Sequence, residues 1–368
     1  MDNSINFFST TVTENSINYA LDALKSTMIS AGKKADLFEK KLTEFGLVNP
    51  VTLNSGTVTM HLALLASGIK KGDEVIIPSQ TFISTGLSVL YAGATPVFAD
   101  INHLDGNISV ESIKSKITNK TKAIIPVHWG GYPCDMDKIN SLSEEYNLSV
   151  IEDAAHAFGS TYKNKLIGTI SRFTSFSFQA IKHLTTGDGG ALCCLNNEDE
   201  KLVKRLRWFD IDRENSKTGF LGEREYDAKN IGYKYHMNDI AASIGIGNLE
   251  QINDKLDKIS NIAKQYKEEL NDVGGIQLMN YESDRKSSYW LFPMLVEDRE
   301  NFIRKMKEVK IPVSVVHQGI DKNSIFGGKN YDLVNQRLFD DNQIHIPIND
   351  TLTYENIDYI IKNIKSGW

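Results

Sequence analysis

Residues 174–190 read Thr174-Ser175-Phe176-Ser177-Phe178-Gln179-Ala180-Ile181-Lys182-His183-Leu184-Thr185-Thr186-Gly187-Asp188-Gly189-Gly190. The first five residues have the texture of a strand, which closes on the small hydroxyl residue Ser177. Lys182 follows in a stretch without helical period, and a glycine-rich turn comes next. Residues 191–195 are apolar and suit another strand. Most lysines are solvated surface charges. A lysine held at a cleft away from bulk water, near cationic groups, loses proton affinity and becomes a nucleophilic amine able to form a Schiff base. Ser177 and the Gly-Asp-Gly-Gly turn beside Lys182 favour that second reading here.

Outward from this stretch, short strands alternate with helices. Apolar residues recur at helical spacing over 17–28 and 37–45. Residues 57–66 read as a helix, 74–77 and 96–99 as short strands. The apolar run 123–127 suits a strand buried on both faces. A helix over 137–146, a strand over 148–151 and the strand 174–178 continue the rhythm. Such βαβα order predicts an α/β fold with a mostly parallel, helix-covered sheet. One long helical pattern over 238–273 reads as a spine. It joins a large domain, residues 1–245 with an N-terminal helical arm, to a small C-terminal α+β domain, residues 246–368. The latter is expected to hold strands at 290–296 and 312–317 and helices at 300–309 and 354–365.

With 368 residues, of which 41% are hydrophobic and 24% charged, the chain can bury a core without disulfide or metal staples. A net charge of −6, from 41 basic and 47 acidic residues, argues against nucleic acid or an anionic membrane as main partner. Three cysteines, Cys134, Cys193 and Cys194, make an odd count with no zinc-site spacing, so no metal is expected. They point to a reducing compartment, the cytoplasm. Cys193 and Cys194 sit in an apolar run and read as core. The start, MDNSINFFST, lacks a basic region followed by an apolar run and does not read as a signal peptide. No stretch of about 18 apolar residues exists to span a membrane.

Two further motifs bear on chemistry. Asn54-Ser55-Gly56-Thr57 precedes a helix. The unpaired N–H groups and positive dipole end of a helix start suit a phosphate, and Gly56 permits close backbone approach. An ordinary hydroxyl N-cap explains the same residues. Ile151-Glu152-Asp153-Ala154-Ala155-His156 ends an apolar strand. Ligands of open α/β sheets lie outside that strand end, where a carboxylate can hold a protonated ring nitrogen. A helix cap at Asp153 and a surface histidine are the plain alternatives.

Taken in order, these motifs resemble the DegT/StrS family of pyridoxal-phosphate (PLP) dependent sugar aminotransferases, within the fold-type I, aspartate-aminotransferase-like group. The resemblance covers essentially the whole chain and implies a seven-stranded-type sheet in the large domain. It implies that Gly56 and Thr57 bind the PLP phosphate together with Ser177, five positions before Lys182. It makes Lys182 the Schiff-base lysine. Phe82, in Ser-Gln-Thr-Phe-Ile-Ser-Thr, matches the residue stacked on the pyridine ring. Asp153 matches the partner of the ring nitrogen, and His156 a position near the phenolic oxygen. His128, in Pro-Val-His-Trp-Gly-Gly, falls in a segment bordering the substrate pocket. Gln179, where the family often has histidine, and His317 are counted with it as substrate-side residues. The family's GxNYRM segment sends an asparagine to the neighbouring subunit's phosphate. Here the segment reads Gly232-Tyr233-Lys234-Tyr235-His236-Met237, so Lys234 would serve as a point charge in a homodimer with shared sites. Arg205-Leu206-Arg207-Trp208-Phe209 reads either as a substrate or interface element or as a solvated helix face.

The activity so implied is amination of a 3- or 4-keto-deoxy sugar linked to a nucleotide, with glutamate as amino donor, in surface-glycan or deoxyamino-sugar biosynthesis. Alternatives are a PLP-dependent sugar dehydratase, whose relatives carry histidine in place of the lysine, and an inosose aminotransferase. A non-catalytic homologue would tend to lose Lys182 or Asp153, and both are present. A Rossmann dehydrogenase is disfavoured because no GxGxxG follows the first strand.

Overall fold

A computed structural model describes residues 5–213 and 215–368. The first four residues of the segment inspected for a leader lie outside the described residues. The strands in chain order are β1 (Pro50–Leu53), β2 (Glu74–Pro78), β3 (Thr95–Ala99), β4 (Thr121–Ile124), β5 (Ser149–Asp153), β6 (Thr161–Tyr162), β7 (Lys165–Leu166), β8 (Phe173–Ser177), β9 (Gly190–Cys194), β10 (Ile276–Leu278), β11 (Arg285–Lys286), β12 (Phe292–Val296) and β13 (Gln343–Ile346). The helices are α1 (Glu14–Lys25), α2 (Lys33–Phe45), α3 (Gly56–Ala66), α4 (Ile83–Tyr91), α5 (Val110–Lys116), α6 (Met136–Tyr146), α7 (Asn197–Leu206), α8 (Asp239–Leu249), α9 (Ile252–Leu270), α10 (Arg299–Glu308), α11 (Val334–Asn342) and α12 (Tyr354–Lys365).

The main sheet has seven strands in the order β1-β9-β8-β5-β4-β2-β3. The pairs from β8 to β3 are parallel, whereas β9 runs antiparallel to both β8 and β1. Val75, Ile76, Ile77, Ile124 and Ile151 are buried because helices cover both faces, which is why these strands read as apolar runs without alternation. Two hydrophobic clusters result. Phe38, Leu42, Ile76, Ile139 and Phe176 belong to one, and Leu53, Leu62, Ile77, Ile151 and Leu192 to the other. Cys134, Cys193 and Cys194 are buried and free.

Three expected elements differ. The strand foreseen over 123–127 is β4, which ends at Ile124. Pro126 lacks an N–H, and pairing resumes as a single parallel bridge between Val127 and Asp153. The spine expected over 238–273 is two helices, because Gln251 leaves helical geometry at φ −113° and ψ 11°. The break transfers the chain from one core to another. Gly247 of α8 lies against Ser16, where a Cβ would come within 2.2 Å of the Ser16 nitrogen. In α9, Ile259, Ile262, Tyr266 and Leu270 pack instead on Phe292, Met294 and Ile344. The strand expected over 312–317 is an extended segment with one antiparallel bridge, Ser314 to His345, because Pro312 cannot donate to a ladder.

The remaining strands form two three-stranded sheets, β10-β12-β13 and β11-β6-β7. In the first, β12 runs antiparallel to β10 and β13. The closing helix α12 starts with a capping box between Thr353 and Asn356 and buries Ile357, Ile360, Ile361 and Ile364 against this sheet. No helix among the described residues is long and apolar enough to cross a membrane.

Candidate active site

A cavity of about 370 Å³ opens at the C-terminal ends of β5 and β8. This is the side of an open α/β sheet where ligands bind. Gly56, Thr57, Phe82, Asp153, His156, Ser177, Gln179, Lys182 and His317 all line it, so nine of the eleven residues named from sequence converge there. The two exceptions are His128 and Lys234.

One end of the cavity is a cradle of backbone. Ser55 caps α3 by accepting from the Val58 N–H, and the first turn of a helix has N–H groups that the helix itself does not use. Gly56 sits so close to β8 that a Cβ would come within 2.8 Å of the Ser177 Cβ and 3.2 Å of its Oγ. Gly190, last of the glycine-rich turn, is equally constrained, since its Cβ would lie 2.9 Å from the Gly56 nitrogen. The two glycines let α3, β8 and β9 meet, which brings the Ser177 hydroxyl to the helix start.

Asp153 ends β5 at 4% exposure. Its Oδ2 accepts from the Thr85 hydroxyl at 2.7 Å and its Oδ1 from the Ala155 N–H at 3.2 Å. Burial raises its pKa, and both hydrogen bonds oppose that rise. Its neighbour Glu152 points to the opposite face, as strand alternation requires. There Glu152 Oε2 lies 2.8 Å from His128 Nε2. The Cys134 N–H donates to His128 Nδ1 at 3.0 Å, so Nε2 carries the proton and donates to the carboxylate. Both ring nitrogens are thus engaged behind the sheet, which is why the His128 side chain does not border the cavity.

Lys182 occupies the loop after β8. Burial depresses its pKa to about 7, against the favourable charge of Asp153. Its Nζ lies 3.5 Å from the centroid of the Trp290 ring. The Trp290 indole stacks on His156 at 3.8 Å and 15° between planes, and its Nε1 donates to the Ile181 carbonyl at 3.0 Å. Burial, then Lys182 and His317, keep His156 neutral, and its Nδ1 is buried without a hydrogen-bond partner. Phe82, at 53% exposure, covers the mouth with its ring 5.3 Å from His317. Burial lowers the pKa of His317 to about 4. Gln179 Oε1 accepts from the Ile181 N–H at 3.1 Å and so shapes the lysine loop.

The two walls are bolted together by amides. Gln80 Nε2 donates to the His317 carbonyl at 3.0 Å, and Gln80 Oε1 accepts from Gln336 Nε2 at 2.7 Å. Gln343 Nε2 also reaches the His317 carbonyl, at 3.1 Å. Gln80, Thr85 and Trp290 were not singled out from the sequence. Thr81 and Thr85 do carry a signal, four residues apart around Phe82, while Trp290 reads only as the first residue of the strand expected over 290–296.

Lys234 is exposed and lies outside the cavity of its own chain, in a bridge with Trp208. Within 205–209, Arg207 is a structural tie: it pairs with Glu39 and donates to the Thr52 carbonyl at 3.0 Å.

Residues 10–365 match the model of the DegT/DnrJ/EryC1/StrS aminotransferase family. The chain belongs to this family. Among its DegT/DnrJ/EryC1/StrS relatives, a GDP-perosamine synthase of Escherichia coli O157:H7 is 36% identical over 351 residues, covering 94% of this chain and 93% of that protein. The fold matches the crystal structure of the sugar aminotransferase CalS13 from Micromonospora echinospora with a TM-score of 0.93 at 28% identity, over 99% of this chain and 100% of that one. It matches Spr1654 from Streptococcus pneumoniae in its PLP form with a TM-score of 0.90 at 28% identity, over 99% and 98%. Within this family's α/β architecture, the lysine loop, the Asp153 carboxylate and the glycine cradle surround one cavity.

Proposed function

We propose that the chain is a PLP-dependent aminotransferase that aminates a keto-deoxy sugar carried on a nucleotide. The observation that carries this reading is the convergence of Lys182, Asp153 and the Gly56–Ser177 cradle on one cavity. PLP has a phosphate, a basic ring nitrogen, a phenolic oxygen and an aldehyde, and each finds a matching group. The cradle at the start of α3 suits the phosphate. Asp153 suits the protonated ring nitrogen, and the unpartnered Nδ1 of His156 suits the phenolic oxygen. Lys182 is an amine poised near neutrality. Kinship with a GDP-perosamine synthase and the PLP form of Spr1654 support the nucleotide sugar and the cofactor.

When bound, PLP supplies an electron sink for the carbon that loses a proton. Asp153 holds a proton at the ring nitrogen, because the unpaired carboxylate is costly in its buried position. Lys182 Nζ removes a proton from the amino donor's Cα as general base and returns one to the sugar carbon as general acid. A group with affinity near neutrality suits both tasks. Phe82 and His317 exclude water from above.

Glutamate is the proposed donor. We also propose a homodimer in which Lys234 serves the partner's phosphate. Its exposure outside its own cavity supports this, as does the exposed apolar stripe Ile17, Leu21, Leu24 and Met28 on and after α1. The separate core built from Ile259 to Ile364 supports a small C-terminal domain, but Ile246, Leu249 and Ile252 pack in the large-domain core, which favours a start after the break at Gln251 over one at residue 246. The buried free cysteines support a reducing compartment, the cytoplasm. The retained lysine favours transamination over the dehydratase reaction.

The test is an absorbance spectrum of the purified protein with PLP, before and after glutamate, followed by product analysis with 3- and 4-keto nucleotide sugars. A band near the visible edge that moves to shorter wavelength, and an aminated sugar product, are expected. Failure to bind PLP overturns the reading.

A further inference from the structure

Every turnover of a lysine-bound cofactor releases the lysine, and the freed amine must wait within reach of the reacting carbon. The position of that amine can be read from its contacts. Lys182 Nζ lies over the Trp290 indole, 3.5 Å from the ring centroid, well inside the range of a cation–π contact. The ring is itself held on several sides. Its Nε1 donates to the carbonyl of Ile181, the residue next to Lys182, at 3.0 Å. His156 stacks on it at 3.8 Å, and Phe8 from the N-terminal arm stacks at 5.3 Å and 21°. Trp290 is 4% exposed, and Lys182 is half-buried where it lines the cavity.

We propose that Trp290 is a positioning residue whose indole face holds the Lys182 ammonium whenever that amine is free of cofactor. The inference rests on the cofactor-carrying role proposed for Lys182. Removing water makes an ammonium costly, and the negative face of an indole offsets part of that cost where a carboxylate would bind the amine too tightly to release it. Tryptophan provides the strongest such face among the aromatic side chains. The Nε1 bond to Ile181 makes the ring follow the loop, so the resting position and the attachment point stay in register.

The groups facing Lys182 are Asp153 from β5, His156 from the turn after it, His183 on the same loop, and His317 from the segment beside β13, while Lys255 of α9 and Asp350, paired with each other, line the crevice on the far side of Lys182 and Trp290. Burial lowers the proton affinity of all three histidines, so they stay uncharged near neutral pH.

The experiment is the rate of PLP capture by cofactor-free protein as a function of pH. Only the neutral amine attacks the aldehyde, so the midpoint of the profile reports the Lys182 ammonium. Trp290→Leu removes the face that favours the charged form, and its midpoint moves down by about one pH unit. Below both midpoints the variant therefore captures PLP about tenfold faster than the wild type. Trp290→Phe loses the Nε1 bond but keeps a weaker face, and its midpoint moves less. A merely structural role would lower the plateau and leave the midpoint in place, and that result in Trp290→Leu overturns the inference. If Trp290→Leu does not fold, fluorotryptophan labelling decides. Fluorine withdraws π density without changing the packing, and an unmoved midpoint then overturns the proposal. Absence of capture by the wild type overturns the cofactor role of Lys182, and this inference with it.

Discussion

The Thr85 hydroxyl donates to the Asp153 carboxylate across 2.7 Å, and the Thr81 hydroxyl stands a further 2.7 Å beyond it. This short relay aims a buried carboxylate into the cavity from below. Thr85→Val keeps the shape and deletes the donor. A lost hydrogen bond to a charged group costs about 1.5–3 kcal/mol, so PLP affinity should fall by at least about tenfold in equilibrium dialysis. Asp153→Asn should lower turnover further, by at least about 100-fold, since the proton on the ring nitrogen loses its counter-charge.

Lys182→Ala should abolish amination, with a loss of at least about 1,000-fold, while the circular dichroism spectrum stays near the wild type. The check is a single-turnover assay with a keto nucleotide sugar. Retained turnover would remove Lys182 from the mechanism.

The stability of the cofactor-free protein should depend on Lys182 in a defined pH window. Its folded pKa of about 7 lies below the ordinary lysine value of 10.5. Between these values the unfolded chain binds the extra proton, so the lysine weakens the fold, and stability rises with pH through the window. Lys182→Met should therefore raise the melting temperature most at and below pH 7. The gain should shrink from there and vanish above about pH 10.5. An equal gain at pH 6 and pH 11 would contradict the sign.

Gly56→Ala places a Cβ 2.8 Å from the Ser177 Cβ, and β8 must move away. The cradle then opens, and the affinity for PLP should drop by more than about tenfold, as overpacking by one methyl typically costs 1–3 kcal/mol. Pyridoxal without phosphate should be affected far less, which a binding comparison of the two compounds reads directly.

Much of this arrangement was legible in the order of residues. The strands at 74–77, 96–99, 148–151 and 174–178 and the helix at 57–66 show themselves because burial on two faces demands uninterrupted apolar runs. The cradle and the Asp153 strand end were readable only from the order of the motifs taken together, because a hydroxyl N-cap and a helix cap explain each one alone. β1 was missed because four residues, Pro50–Leu53, are too few to show a period. The break at Gln251 was hidden because no proline or glycine marks it; packing against two cores imposes it. His128 was misjudged for a related reason. Its place in the chain is beside the site, but its ring pairs with Glu152, which the pleat of β5 points to the other face. Trp290 lies more than 100 positions from Lys182, and only the fold brings them together.

The Gln80 amide gives the site a practical property. Gln80 stands two residues before Phe82 and holds the main chain of His317, with Gln336 and Gln343 completing the clasp. Anyone wishing to retune sugar preference by exchanging the loop around His317 with that of a relative would be transplanting half of a clasp. Such a chimera should work only when positions 80, 336 and 343 travel with the graft as one cassette.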